Sequence, residues 1–129
     1  MRLTIDLTEE KPLYQQIRDQ IVEGIAVGLL AEGTPLPPTR RLAADFGINF
    51  HTVNKAYELL RREGLVRLHR KRGAVVHVSA PDAAAWADWE ARLRILLAEA
   101  RARGATAEEI QERCRRILNV LMRPAAGEA

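Results

Sequence analysis

The sequence predicts a mainly α-helical fold with one small β-hairpin. Apolar residues recur every three or four positions in several separate segments of the 129-residue chain, which is the spacing of amphipathic helices. One short stretch rich in Val and Leu is instead divided by a basic turn that ends in glycine, which is typical of a hairpin. Aromatic residues make up only 5% of the chain, so the core is expected to be aliphatic.

The first 30 residues predict a strand followed by a helix. Apolar and polar side chains alternate in residues 2–7, as they do in a short half-buried strand. From Leu13 to Ile25 the apolar residues recur at helical spacing, behind Pro12 at a position suited to a first helical turn. Gly28 offers a stop for this amphipathic helix.

Two helices that meet across a tight turn are predicted after a proline-rich connector at residues 33–38. Residues 39–46 predict a short helix closed by Gly47. Asn49 can cap a longer helix that runs to Glu63, with Gly64 just beyond its end. The residues expected to be buried are Leu42, Ala43 and Phe46 in the short helix and Val53, Ala56, Tyr57 and Leu60 in the longer one.

A basic hairpin is predicted next. Residues 65–68 and 74–78 have the composition of two short strands, and residues 69–73 join them. Residues 55–72 contain seven basic and two acidic side chains, although the whole chain carries a net charge of only +3. This concentration of positive charge in one segment is typical of a surface that binds nucleic acid.

The last part of the chain predicts two helices that need a partner. The composition changes at residues 79–82, so we place a domain boundary between residues 1–79 and 80–129. Gly104 separates the two helices, and Thr106 with Glu109 predicts a capping box at the start of the second. Two apolar stripes without a third layer cannot bury each other, which predicts a dimer interface formed by Trp86, Trp89, Leu93, Leu96, Leu97, Ile110, Cys114, Ile117, Leu118 and Leu121.

The order of these elements is that of a winged helix-turn-helix domain followed by a two-helix dimerisation tail. In such a fold the N-terminal end of the third helix enters the major groove of double-stranded DNA. Side chains there can donate to or accept from base edges, and basic residues of the wing can neutralise phosphates or reach a minor groove. The predicted DNA-binding residues are Asn49, Phe50, His51, Thr52, Asn54 and Lys55 in the helix, and Arg70, Lys71 and Arg72 in the wing.

The strings LPPTRRLA at 36–43, NFHTVNKAYELL at 49–60, REGLV at 62–66 and RGAVV at 72–76 resemble the GntR family of bacterial transcription regulators. The resemblance covers residues 10–78 without a gap. The short tail is similar to that of the YtrA-type subfamily, whose tails pair into a homodimer. The resemblance implies a phosphate contact for Arg40, base contacts for Asn49, Phe50, His51, Thr52 and Asn54, and minor-groove or phosphate contacts for Arg72 and Gly73.

Four positions depart from the family pattern, among them Lys71, which replaces a glycine of the wing, and Ala74, which replaces its Thr. Phe50 stands where many members have Arg, so the guanine contact that Arg would make is missing. Pro38 stands where a helix-capping Ser is usual, so the short helix is expected to begin without a side-chain cap.

These features predict a sequence-specific transcriptional regulator, of the repressor type, that binds a pseudo-palindromic operator as a homodimer. Two alternatives stay open, namely a winged-helix module that binds protein and an architectural protein that binds any DNA sequence. For His51 the alternative is a plain surface histidine. No residue identifies a small-molecule effector, and that partner is left open.

We expect no enzyme, no catalytic residue, no cofactor and no metal site, because no paired carboxylates, activated nucleophile, glycine-rich phosphate loop or metal-ligand cluster stands at usable spacing. The single cysteine, Cys114, is interpreted as a small buried apolar residue, with a disulfide across a dimer axis left open. The longest apolar run covers residues 25–31, far fewer than the roughly 20 that a membrane span needs. With an acid at Asp6 instead of a signal peptide's apolar core, a cytoplasmic protein without a membrane partner is expected.

Overall fold

The computed structural model describes residues 3–123, and it confirms the predicted order of helices and strands from residue 13 onward. Arg2 of the predicted first strand and the last six residues of the predicted tail domain lie outside the described range. None of the described helices is long and apolar enough to cross a membrane. The elements are α1 Leu13–Ala26, α2 Thr39–Phe46, α3 Phe50–Arg62, β1 Val66–His69, β2 Gly73–Val76, α4 Ala83–Ala102 and α5 Ala107–Met122.

The described chain divides into two compact units. Residues 3–79 form the first unit, which we call the head, and Ala80–Arg123 form the second, which we call the tail. The head contains α1, α2, α3 and the hairpin, and the tail contains α4 and α5.

The core of the head lies between α1, α2, α3 and the hairpin. Its largest fully buried side chains come from three different elements: Ile17 and Ile21 from α1, Val53 and Leu60 from α3, and Val76 from β2. Every residue predicted to be buried in α2 and α3 is buried, except that Phe46 is only half-buried. Helical spacing of the apolar residues therefore fixed which face of α3 points inward, and hence which face is left for a partner.

The predicted strand at residues 2–7 is wrong for its described part, because residues 3–6 run beside α1 without forming a sheet. Two glutamine side chains of α1 take the place of a neighbouring strand. The amide of Gln16, itself buried, accepts from the backbone N–H of Asp6 at 2.9 Å and donates to its carbonyl at 3.0 Å. Gln20 accepts from the backbone N–H of Thr4 at 2.7 Å and donates to its carbonyl. The alternating pattern arises because Leu3 packs into the core and Ile5 packs against it.

The wing sheet consists of two strands, and a third segment, the connector before α2, forms hydrogen bonds along its edge. Strands β1 and β2 pair antiparallel, with Val66 opposite Val76 and His69 opposite Gly73. The predicted connector runs along the free edge of β2, where Leu36 N–H donates to Ala74 O and Val76 N–H donates to Thr34 O, each at 2.8 Å. Proline at position 35 fits this outer edge because a proline has no N–H to offer.

Local signals set the ends of the helices as predicted. Gly47 closes α2 in the left-handed region at φ 65°, and Asn49 caps α3. Pro38 leaves the start of α2 without a side-chain cap, as the comparison with the family pattern predicted. Thr106 and Glu109 form the predicted capping box at the start of α5.

Both helices of the tail leave much of their apolar stripes exposed, and neither contains a buried residue. Leu96 is 61% exposed and Ile117 is 60% exposed. The indole rings of Trp86 and Trp89 meet edge to face at 5.4 Å, yet both side chains remain nearly half exposed. The interpretation of Cys114 as a buried residue is wrong for the single chain, where its side chain is exposed because no layer covers α5.

Candidate nucleic-acid interface

Asn49 and Asn54 are presented differently at the N-terminal end of α3. The side-chain oxygen of Asn49 accepts from the backbone N–H of His51 at 2.8 Å, which occupies it as the helix cap. Asn54 is exposed, and no described residue forms a hydrogen bond with its amide. Bidentate pairing with adenine uses both the oxygen and the nitrogen of an amide. Asn54 keeps both groups free, whereas Asn49 keeps only its N–H donors.

The other candidates of α3 lie around its outward face. His51 and Lys55 are exposed, on the side opposite the buried residues. Thr52 is half-buried because it lies at the edge of the packed face. Phe50, the first residue of α3, is also half-buried and packs against the core. The structure therefore presents a short polar surface with one aromatic ring at its end.

Aromatic rings hold two of the predicted DNA-binding cations. The guanidinium carbon of Arg40, on α2, lies over the Phe50 ring at 4.2 Å from its centroid. The ammonium nitrogen of Lys55 lies over the ring of Tyr14, on α1, at 4.1 Å. The His51 ring also contacts Phe50, with 4.1 Å between the ring centroids.

Tyr57 ties α3 to the segment that precedes α2. Its hydroxyl donates to the carbonyl of Pro37 at 2.7 Å. Burial raises the pKa of the Tyr57 phenol well above its ordinary value, since the charged form would lose its hydration. The contact fixes the Pro37–Pro38 entry to α2 against the inner face of α3.

The wing turn exposes all four of its predicted contact residues, Arg70, Lys71, Arg72 and Gly73. The His69 ring nitrogen Nδ1 accepts from the backbone N–H groups of Lys71 at 3.2 Å and Arg72 at 3.3 Å, which folds the turn back on the strand. Gly73 has φ 74°, a conformation that favours glycine. The guanidinium of Arg72 donates to Gly33 O at 2.7 Å, so it lies against the connector, whereas Arg70 and Lys71 form no such contact with the described residues.

The wing and α3 adjoin across a shallow groove. Asn54 and Arg61 line it from α3, Leu68 and Gly73 line it from the wing, and the Pro37 segment closes one side. Asn54 of α3 and Arg72 and Gly73 of the wing thus line one groove, while the Phe50 ring contacts both Arg40 and His51.

Sequence reasoning missed two ion pairs of α3. Glu58 and Arg61 pair at 2.7 Å, and the hydrogen bond from Arg61 holds the pKa of Glu58 below its ordinary value. The i, i+3 spacing of Glu58 and Arg61 is typical of a helical ion pair, so the sequence could have predicted it. Arg18 of α1 donates from two nitrogens to the two carboxylate oxygens of Glu63, each at 3.0 Å, and no local pattern announces this contact. Glu58 therefore neutralises one of the seven cations counted along residues 55–72, whereas Glu63 neutralises Arg18, which lies outside that segment.

Within residues 3–123 no three His, Cys, Asp or Glu side chains are grouped so that they could hold a metal ion. His77 lies near Glu32, with 3.6 Å between its Nδ1 and a carboxylate oxygen, at the end of the wing away from the turn. His69 is used by the turn itself.

A helix pair joined by a tight turn, with an exposed polar second helix beside a cationic hairpin, defines the class of winged-helix DNA-binding proteins. The comparisons narrow this class to a family. The family of bacterial regulatory proteins described as the gntR family matches residues 13–76. The HTH-type transcriptional regulator Rv1152 of Mycobacterium tuberculosis is 35% identical over 85 residues, which are 66% of this chain and 70% of that protein. The chain belongs to the GntR family.

Two further relatives place the chain in the YtrA-type subfamily. The HTH-type transcriptional repressor YtrA of Bacillus subtilis is 37% identical over 78 residues, which are 60% of each chain. The solved structure of YtrA from Sulfolobus acidocaldarius, a GntR-family transcription factor, is 38% identical, covers 91% of this chain and 97% of that one, and has a TM-score of 0.57. The predicted fold class and the predicted role as a DNA-binding transcriptional regulator are confirmed.

Proposed function

We propose that this regulator represses transcription by binding a pseudo-palindromic operator as a homodimer. The exposed polar face of α3, beside a cationic wing, is the observation that carries the proposal. Short side chains on that face read bases in the major groove, and basic side chains around it bind phosphates.

Asn54 is the main base-reading residue of the proposal. It is exposed, and its amide is free to pair with both polar groups of an adenine edge. His51 lies beside it on the outward face and offers a second polar contact. Asn49, whose oxygen caps α3, donates its N–H groups to a base edge or a phosphate. Thr52, half-buried, reaches the DNA only through its hydroxyl.

Positive charge around α3 supplies the affinity that does not depend on sequence. Arg40, Lys55, Arg70 and Lys71 are exposed and have no carboxylate partner among the described residues, so their charge is available to phosphates. Arg72 and Gly73 approach the backbone or a minor groove from the wing. Each phosphate neutralised makes the slope of log affinity against log salt more negative by about 0.9.

The tail supports the proposed homodimer. Much of its apolar stripes is exposed in the single chain, and burying such surface is favourable by about 25 cal/mol per Å². A second copy of the tail offers a matching pair of stripes, which would make a four-helix interface. Twofold symmetry then requires two half-sites about 10 bp apart, centre to centre.

Selection of bound duplexes from a random DNA library, at near-physiological salt, tests the proposal. The expected product is an inverted repeat whose half-sites are spaced by about one helical turn. A control selection with Asn54→Ala is expected to lose enrichment at particular positions of each half-site. Unenriched DNA would instead favour the architectural alternative, and no recovered DNA would favour a protein partner.

A further inference from the structure

Aromatic rings contact two cations at the predicted DNA surface. Residues 3–123 contain two cation–π contacts, Arg40 on Phe50 and Lys55 on Tyr14, and both cations belong to the predicted DNA-binding set. The contacts involve different elements, because Tyr14 lies on α1, Arg40 on α2, and Phe50 and Lys55 on α3. Two independent pairs therefore place a cation at the outer surface of the head in the same way.

Neither cation has another partner to orient it. No described residue forms a hydrogen bond or ion pair with the side chain of Arg40 or Lys55, and both side chains are exposed. Other basic residues of the head are held differently: Arg18 and Arg61 are paired with carboxylates. The aromatic rings are consequently what restricts the position of these two cations, while half-burial against the core fixes the rings themselves.

An aromatic ring orients a cation without cancelling its charge. A carboxylate partner would neutralise the cation and accept its N–H groups, and DNA would have to displace it. The face of a ring attracts the cation through its quadrupole but accepts no strong hydrogen bond, so the N–H donors remain available to phosphate oxygens. Long basic side chains lose much rotamer freedom on binding, and a cation that is already placed loses less.

We propose that Tyr14 and Phe50 are positioning residues for DNA binding, whose rings hold the charges of Lys55 and Arg40 where phosphates of the DNA backbone bind. The proposal rests on the proposed function, because it concerns how the head binds double-stranded DNA. It assigns to Phe50 a role through Arg40 in place of a base contact of its own, and it assigns a role in binding to Tyr14, which lies outside α3.

Two double-mutant cycles test the assignment on the full-length protein. Binding to the selected operator and to a scrambled duplex of the same length is measured by fluorescence anisotropy at several salt concentrations. Tyr14→Leu and Phe50→Leu remove the rings and keep apolar bulk, whereas Tyr14→Phe and Phe50→Tyr keep an aromatic ring. Each leucine variant is combined with the loss of its cation, Lys55→Ala or Arg40→Ala, and thermal denaturation reports which variants are folded.

Each leucine variant is expected to weaken binding about two- to fivefold on both duplexes, the range that an exposed cation–π contact corresponds to. Tyr14→Phe and Phe50→Tyr, which keep an aromatic ring, are expected to bind DNA as tightly as the wild-type protein. In the Lys55→Ala and Arg40→Ala backgrounds, loss of the matching ring is expected to have no further effect. Lys55→Ala and Arg40→Ala by themselves are each expected to make the slope of log affinity against log salt less steep by about one.

Equal losses with and without the cation would overturn the assignment, since the ring would then act through packing alone. A loss confined to particular base pairs after Phe50→Leu would also overturn it for Phe50, because the ring would then be reading a base. If Phe50→Leu does not fold, the Tyr14 cycle decides the proposal by itself. A wild-type protein that binds no duplex would instead contradict the proposed function.

Discussion

At the residue scale, two asparagines of the same helix differ in what their side chains can still bind. Asn49 uses its oxygen to cap α3, whereas the amide of Asn54 is exposed and has no partner among the described residues. The difference follows from position, because an N-cap side chain folds back on the first turn and a side chain one turn later points away from the helix. We therefore expect Asn49 to contribute mainly to stability and Asn54 mainly to base recognition.

Substitution of the two asparagines should therefore give different outcomes. Asn54→Ala is expected to leave stability nearly unchanged, to cost about 1–3 kcal/mol on the selected operator and to relax base preference. Asn49→Ala is expected to cost about 1 kcal/mol of stability through loss of the cap. Anisotropy titrations and urea unfolding measure both. An equal loss of affinity on every sequence after Asn54→Ala would withdraw its role in reading bases.

The fold opposes ionisation of the Tyr57 phenol. Its hydroxyl donates to Pro37 O, and burial raises the pKa of the phenol. The folded protein therefore retains this proton at a pH where the unfolded chain has released it. The resulting stability is present below about pH 10, the ordinary phenol pKa, and is lost as the pH rises above it.

Tyr57→Phe is expected to lower the free energy of unfolding by about 1 kcal/mol at neutral pH, because the carbonyl of Pro37 loses its donor. It should also make the loss of stability above about pH 10 less steep. Urea unfolding at neutral and alkaline pH measures both effects. Tyr14→Phe is the matched control, since no described residue bonds to the Tyr14 hydroxyl, and an equal effect of the two variants would contradict this account.

At the scale of elements, two segments without regular secondary structure pack along the regular elements of the head. One lies beside the wing sheet and the other beside α1. The connector at residues 33–36 pairs with β2. Residues 3–6 are held on α1 by the side chains of Gln16 and Gln20. Backbone polar groups near a core need partners, and in both places a neighbouring element supplies them.

Gln16→Ala is expected to release the segment at residues 3–6 from α1 and to destabilise the head by about 1–3 kcal/mol, because three hydrogen bonds of a buried amide are lost. Faster hydrogen exchange at the Asp6 amide and a lower midpoint in urea are the measurements. Gln15→Ala removes a nearby glutamine that bonds only to the Asp19 side chain, and it should have little effect. Unchanged exchange at Asp6 would show that the segment is held by Leu3 instead.

At the scale of the whole molecule, the tail exposes apolar residues on more than one side of α4. Leu96 lies on the predicted interface stripe and is 61% exposed, while its neighbour Ile95 lies off the stripe and is 59% exposed. The two residues lie on the same helix, have side chains of the same size and are exposed to nearly the same extent. They form a matched pair for testing which face of the tail binds the second copy.

Leu96→Asp is expected to shift the protein toward monomer and to raise the dimer dissociation constant at least about 100-fold, since an unpaired carboxylate would be buried at the interface. Ile95→Asp introduces the same charge off the stripe and should leave the dimer intact. Sedimentation velocity over a range of concentrations distinguishes the two. A stable dimer of Leu96→Asp, or a monomer of Ile95→Asp, would place the interface elsewhere.

Much of the fold was predictable because its determinants are local. The bounds of α2, the cap of α3 and the capping box of α5 each depend on residues within one or two turns of one another. The first strand was predicted wrongly for the same reason, since alternation reports which side chains are buried but not what pairs with the backbone. Cys114 was predicted to be buried because it lies on an apolar stripe. Such a stripe shows which face of a helix is apolar, but not whether the same chain packs against that face.

The sequence by itself determined the family, the order of helices and strands from α1 onward, the inward face of α3 and the set of residues proposed to bind DNA. Only the tertiary structure decided how those residues are presented: Asn54 free beside the groove, Arg72 against Gly33, and Arg40 and Lys55 over aromatic rings. The physical reason is distance along the chain. Helical period and capping act between near neighbours, whereas contacts such as Arg72 with Gly33 form only after α1, the connector and the wing have packed around α3.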